Sequence, residues 1–503
     1  MALPMRVCLI WWVAFTAAGA TAPATSGPFS FEMLRQRALA LAAAEYRPEE
    51  SKLPEALKKL TYDEYQTIRF RAEAGPWRQD DPRFTFQFFH PGFLYQDAVK
   101  IHLVEDGQVR DYRFTPAQFD YGSVRFPKPL PPDLPFAGLR ILYPVNRTGK
   151  QDEVASFLGA SYFRLLGKGQ RYGASARGLA IDTAEPTGEE FPRFTEFWVE
   201  KPARTADAVE FYALLESAKV TGAYRFVLKP GVETVLEVEA YVQLRKDVRK
   251  LGLGALTSMY LFGGNRTRFF SDFRPEVHDS DCLLFEASSG EWQVRPLINP
   301  EKTFQVSQFA ADTPKGFGVL QRHREFCQYE DLGARYDLRP NLWVKPGQAW
   351  TAGTLELVEI PTPGEFSDNI VCYWVPKEKA TAGKQFHLRY TVTASLYGPS
   401  SSPPLKVHST FLDPPTGKEL PRFLVDFDTA QDTARQPAGA VAAKVNASRG
   451  QIKNLVVHTN DVKGGWRVFF DLAAPGEEKV DLRAVLHAGD TAVSEVWVYR
   501  WQP

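Results

Sequence analysis

Short runs of β-branched and aromatic residues, punctuated by Gly, Pro and Asp, set the pattern of this chain after residue 65. Residues 84–89 (FTFQFF), 99–104 (VKIHLV), 211–215, 224–228, 234–244 and 355–360 all have this character. Such runs read as strands, whose side chains alternate between two faces. Helical spacing is confined to the start. Residues 31–44 are rich in alanine and leucine with apolar positions at helical intervals, and residues 53–59 follow after a proline-containing break. The pattern predicts an all-β protein built on a large antiparallel β-sandwich.

A second boundary follows the strand-like run 386–393. Residues 397–404 (YGPSSSPP) have the composition of an exposed connection. Beyond it, residues 423–427, 454–458, 466–471, 481–486 and 493–501 read as further strands, with Gly464 and Gly465 at a hairpin turn. That pattern suits a small immunoglobulin-like sandwich, without the Cys…Trp…Cys signature of antibody domains. The expected division is a main unit over 28–396, a linker over 397–404 and a C-terminal unit over 405–503.

The first residues read as a secretory signal. Arg6 gives a short positive region, residues 7–15 an apolar one, and Ala18, Gly19 and Ala20 a small-residue cleavage site. The apolar run falls short of the roughly 20 residues of a spanning helix. With no twin arginine, export by the Sec route and cleavage after Ala20 are expected. The mature chain is then expected to be exported, with no membrane insertion.

Charge narrows the partners. Lysine plus arginine and aspartate plus glutamate balance at 60 each. Neutrality argues against nucleic acid, which selects strongly basic faces, and against polybasic attachment to an anionic membrane. Cys8 would leave with the signal, so the mature chain keeps Cys282, Cys327 and Cys372. An odd number argues against a disulfide framework, and buried cysteines in strands are the expectation.

Several chemistries find no support in the spacing. The histidines are scattered without an H-E-x-x-H or C-x-x-C pattern, so no metal and no cofactor are expected. Gly167, Gly169 and Gly173 imitate a dinucleotide loop, but the third glycine is displaced and an α/β context is missing. No G-x-S-x-G elbow is present. Carboxylates remain, and glycoside hydrolysis needs two: one protonated, one to activate water. Two clusters stand just before apolar runs: His278, Asp279, Ser280 and Asp281, and Glu365, Ser367, Asp368 and Asn369. Polar residues before a strand also serve as ordinary turn formers. Residues 158–200 combine aromatics, arginines, glycines and carboxylates, a mixture suited to a hydroxyl-rich ligand.

The segment 158–200 resembles the periplasmic glucan biosynthesis protein G family (OpgG, also called MdoG). The resemblance recurs in YDEYQTIRF (62–70), LTSMYLFGGN (256–265), FRPEVHDSD (273–281), ARYDLRPNLWV (334–344) and VEIPTPGEFSDNIVCYW (358–374). It implies a galactose-mutarotase-like N-terminal β-sandwich with an Ig-like C-terminal domain. It also implies β-1,2-glucan as ligand, with members of this family and of the related protein D group including inverting endo-β-1,2-glucanases. By the same resemblance Asp368 of D-N-I-V is the general acid, and Asp279 of H-D-S the general base acting through a proton relay. Asp281 is the less favoured base. Glu365 is placed to orient Asp368 or to raise its pKa by like-charge repulsion. Tyr336 is a candidate for the relay or for substrate contact, its alternative being a core tyrosine.

Tyr162, Arg164, Tyr172, Arg177 and Trp198 are candidate sugar contacts, with core packing as the competing role. For Arg177 a structural ion pair with Asp182 or Glu190 is a further alternative. Two functions stay open. One is an inverting endo-β-1,2-glucanase that needs no cofactor. The other is a non-catalytic glucan-binding, branching or scaffold protein working with a membrane glucan synthase.

Overall fold

Strand Thr234–Leu244 shows how the pattern becomes structure, its residues alternating between buried and half-buried along the whole element. Leu236, Val238, Ala240 and Val242 enter the core, while Glu237 and Glu239 face outward. The computed structural model describes residues 28–48, 51–265, 270–348, 350–414, 420–429, 440–474 and 479–502. The expected signal peptide, residues 1–20, lies outside them.

The chain is all-β, with helix limited to a few short pieces. Two large sheets share one apolar core. The ten-stranded sheet runs from Thr85–Phe89 through Gly138–Tyr143, Asp152–Leu158, Tyr162–Leu165 and Ser175–Arg177 to Leu251–Ser258. It then continues through Ile370–Pro376 and Gly353–Glu359 to Gln305–Ala311. The fifteen-stranded sheet carries Val209–Glu216, Val220–Lys229, Thr234–Leu244 and Gln385–Ser395 at its middle. Phe86, Leu139, Phe157 and Leu256 of the first sheet meet Phe211, Phe226, Leu236 and Leu388 of the second in a single cluster. Burial of that apolar surface drives the association of the two layers.

Helix Phe31–Ala43, whose first turn is capped by the Ser30 side chain, covers the outer face of the larger sheet. Its Leu34 and Ala38 pack on Val104, Trp198, Tyr212, Leu214 and Ala223. The second expected helix is the single turn Glu55–Lys58.

The C-terminal strands form two layers. Lys406–Asp413, Arg422–Asp428, Trp466–Ala473 and Gln451–Thr459 make one sheet. Val441–Ala447, Val480–Ala488 and Val496–Trp501 join the fifteen-stranded sheet by a parallel pairing of Gln293 with Val496 and Val294 with Trp497. Leu284, Trp292, Val294 and Leu320 of the preceding body share a core with Phe423, Phe470 and Trp497. Sheet and core therefore both run past the connection at 397–404. Gly464 and Gly465 take φ of 78° and 102°, in the region favouring glycine, between the paired strands Gln451–Thr459 and Trp466–Ala473. Cys282 and Cys372 are buried in strands, as expected, whereas Cys327 is exposed in a 3₁₀ turn; all three are free. Among the described residues no helix is long and apolar enough to cross a membrane.

Candidate active site

Period two on strand Tyr162–Leu165 sends Phe163 and Leu165 into the core and leaves Tyr162 and Arg164 on the opposite face. Antiparallel pairing sets Ser156 beside Arg164 and Arg177 beside Tyr162. Tyr162, Arg164, Ser156 and Ser175 line a cleft of about 390 Å³, with Tyr95 and Asp97 from the preceding segment and Asp368.

Asp368 stands at the end of a loop, immediately before strand Ile370–Pro376. Asp368 is exposed to solvent at the cleft, with protein packed around its other sides. Partial desolvation by that protein raises the carboxyl pKa, with Arg164, Arg177 and Arg339 pulling the other way. Asp279 is only 4% exposed. Burial raises its pKa as well; its ion pair with Arg339 Nη1 opposes the rise, and the charge on Asp368 adds to it.

The two aspartates are held on one backbone bridge, residues 258–260. Asp279 N–H donates to Met259 O at 2.8 Å, and Asn369 N–H donates to Ser258 O at 3.1 Å. Asn369 completes the bridge with its side chain. Its Oδ1 accepts from Tyr260 N at 2.8 Å, and its Nδ2 donates to Tyr260 O and Ile360 O, each at 3.0 Å. On the other flank Ser258 Oγ meets Ser280 Oγ at 2.8 Å. In both motifs the polar neighbour of the aspartate is thus a structural clamp.

Tyr336 is buried, with the Arg339 guanidinium 4.1 Å from its ring centroid and its hydroxyl donating 2.5 Å to Glu365 Oε2. Burial and the Glu365 carboxylate hold its pKa well above the usual phenol range. Glu365 Oε2 also accepts from Arg274 Nη1 at 2.7 Å, and Arg274 reaches on to Asp331 and Asp272. Glu365 therefore serves Tyr336 and Arg274. The rise at Asp368 comes from partial desolvation, not from repulsion by Glu365. Asp281 is occupied elsewhere, its Oδ2 accepting from the backbone of Arg322 and His323 at 2.6 and 3.2 Å.

Arg177 forms neither of the expected ion pairs. Nη1 binds Glu189 at 2.5 Å, Nε donates 3.0 Å to Thr257 Oγ1, and the guanidinium lies 4.6 Å from the Tyr162 ring centroid. Asp182 instead pairs with Lys219, and Glu190 accepts from Lys219 N. Tyr172 stands beside Arg164, 5.8 Å from ring to guanidinium, and donates to Glu153. Trp198 is not brought to the cleft. Alternation along Arg193–Glu200 puts Phe197 and Val199 in the main core and Trp198 on the opposite face. There it stacks on His102, 4.7 Å between centroids, beneath helix Phe31–Ala43. Arg339 was missed by sequence reasoning, although it lies in the ARYDLRPNLWV block; a buried carboxylate's need for a cationic partner was the available signal.

These features define an all-β protein whose candidate site is built from carboxylates, arginines and tyrosines around an open cleft. The chain belongs to the family described as Periplasmic glucan biosynthesis protein, MdoG, whose model matches residues 29–501. It is similar to a protein of Ralstonia nicotianae named Glucans biosynthesis protein G, 44% identical over 94% of this chain and 96% of that one. Proteins of the same name from Rhodopseudomonas palustris (44% identical, 94% of this chain and 93% of that one) and Pseudomonas paraeruginosa (43%, 94% and 92%) are similar too.

Proposed function

We propose that the mature protein acts in the periplasm on β-1,2-glucan, binding the polymer in the cleft beside Asp368 and hydrolysing it within the chain with inversion. Asp368 donates a proton to the glycosidic oxygen. Asp279 receives the proton of the attacking water through a relay; for Tyr336 to carry it, the hydroxyl must turn from Glu365 to Asp279. Tyr162, Arg164 and Tyr172 supply sugar contacts. The observation that carries this reading is the placement of Asp368, a carboxyl exposed to a cleft of about 390 Å³ that Tyr162, Arg164 and Tyr95 also line, with partial desolvation raising its pKa. A general acid must carry its proton at the working pH, and desolvation favours that form. Depolymerisation of linear β-1,2-glucan by purified protein, followed by size-exclusion chromatography, tests it. Unchanged polymer would contradict hydrolysis.

One observation favours the second reading, a glucan-binding or scaffold protein that works with a membrane glucan synthase. Asp279 is buried and paired with Arg339, an arrangement that stabilises a fold without requiring a reaction. Glucan binding without cleavage would select it. The Sec-type signal at 1–20 and the Ig-like character of the C-terminal strands belong to the same proposal.

A further inference from the structure

Glu276, His278 and His323 converge behind Asp279, all three buried, with their ligand atoms within 4.8 Å of one another. Both rings address the same oxygen: His278 Nε2 is 2.8 Å and His323 Nδ1 2.6 Å from Glu276 Oε2. On His278 the proton position follows from the outer partner. Gln321 Nε2 donates to the Tyr336 carbonyl, which turns Gln321 Oε1 towards His278 Nδ1 at 2.8 Å. An oxygen acceptor there requires the proton on Nδ1. His408 faces Asp428 through Nε2, at 3.7 Å, and Ser409 Oγ through Nδ1, at 2.8 Å. The Ser409 hydroxyl lies between His408 Nδ1 and His323 Nε2, 2.8 Å from each, donating to one ring and accepting from the other.

With Nδ1 of His278 protonated, a neutral His278 ring turns its Nε2 lone pair onto the Glu276 carboxylate oxygen. That arrangement needs either an extra proton on the ring or a cation between the two groups. Beside them is a cavity of about 30 Å³, also lined by Asp281 and Ser409. Among the described residues, Asp281 Oδ1 is buried without a hydrogen-bond partner. That volume matches one water molecule.

We propose that Glu276, His278 and His323 bind a divalent transition metal ion, zinc by ligand type, with a water in the adjacent cavity as fourth ligand. Two imidazoles and a carboxylate are a zinc donor set, with bonds of about 2.0–2.2 Å. On binding, the two nitrogens move from their hydrogen-bond separations of 2.8 and 2.6 Å to about 3.3 Å from Glu276 Oε2. The outer hydrogen bonds to Gln321 and Ser409 are the supports that orient ligating histidines. The ion ties three segments together. Glu276 and His278 flank Val277 just before Asp279, His323 follows strand Gly316–Leu320, and Ser409 lies on Lys406–Asp413 of the C-terminal layer. Its role is to brace the Asp279 segment against the C-terminal strands. Sequence spacing conceals the site, because His278 and His323 meet only through the fold.

The test uses tag-free mature protein, stripped with chelator, dialysed against zinc and analysed by elemental mass spectrometry. One zinc per chain is expected, and cobalt in its place should give the intense visible bands of a four-coordinate site. Glu276→Gln and His323→Gln, with folding checked by near-ultraviolet circular dichroism, should lose both signals. Folded wild type holding less than about a tenth of an equivalent, with no cobalt bands, would overturn the proposal. So would zinc fully retained in both variants, or ¹⁵N NMR showing both rings doubly protonated in zinc-treated protein.

Discussion

The Asn369 carboxamide grips the Tyr260 peptide from both sides, accepting from its N–H at 2.8 Å and donating to its carbonyl at 3.0 Å. Asn369 is 1% exposed and Tyr260 3%, so no water can replace these bonds. Asn369→Ala would leave a buried N–H and two carbonyls without this partner. A loss of about 2–4 kcal/mol in urea unfolding is expected. A change under about 1 kcal/mol would show that the clamp is dispensable.

Asp368 carries the opposite sign. Its folded carboxyl holds a proton more tightly than the unfolded one, so ionisation weakens the fold as pH rises through the folded value. Asp368→Asn should therefore be slightly more stable than wild type at about pH 7, with the advantage closing as pH falls below the ordinary Asp value of 3.8. Exposure of Asp368 to solvent damps the effect. Denaturant midpoints across that range measure it. A variant less stable at neutral pH would contradict the electrostatic account.

Arg339 is the counterion that keeps Asp279 from rising further. Its removal should push the Asp279 pKa up, so a base that must be ionised fails at a higher pH. In Arg339→Ala the acidic limb of the kcat/KM profile should move to higher pH, with kcat/KM down by about 10²–10⁴. A profile of unchanged shape would remove Asp279 from the role of base.

Trp198 tests the division between cleft and core. Packed beneath the N-terminal helix against His102 and Phe29, it should matter to stability and not to ligand. Trp198→Ala is expected to cost about 3–5 kcal/mol, with glucan affinity of the folded protein unchanged. Weakened affinity at intact folding would return Trp198 to the binding surface.

Strand positions were legible because burial on one face leaves a period of two, and the run 234–244 coincides with the observed strand. The same rule, applied across Arg193–Glu200, separates Trp198 from Phe197, but composition alone had grouped the segment as one ligand surface. Pairings distant in sequence left no local trace. The parallel contact of Val294 with Trp497 joins Val441–Ala447, Val480–Ala488 and Val496–Trp501 to the main sheet, which the Pro- and Ser-rich connection before them did not suggest. The polar clusters around Asp279 and Asp368 stand out in the sequence before apolar runs, and the resemblance singles out the two aspartates. Arg339 and the bridge at Met259 that relates the two aspartates depend on tertiary packing.

The most direct test compares wild type with Asp368→Asn on linear β-1,2-glucan, following the anomeric configuration of the first oligosaccharides by NMR. Oligosaccharides of inverted configuration from wild type are expected, with the rate at least about a hundredfold lower in the variant. Equal glucan binding by both proteins with no cleavage by either would contradict the catalytic account.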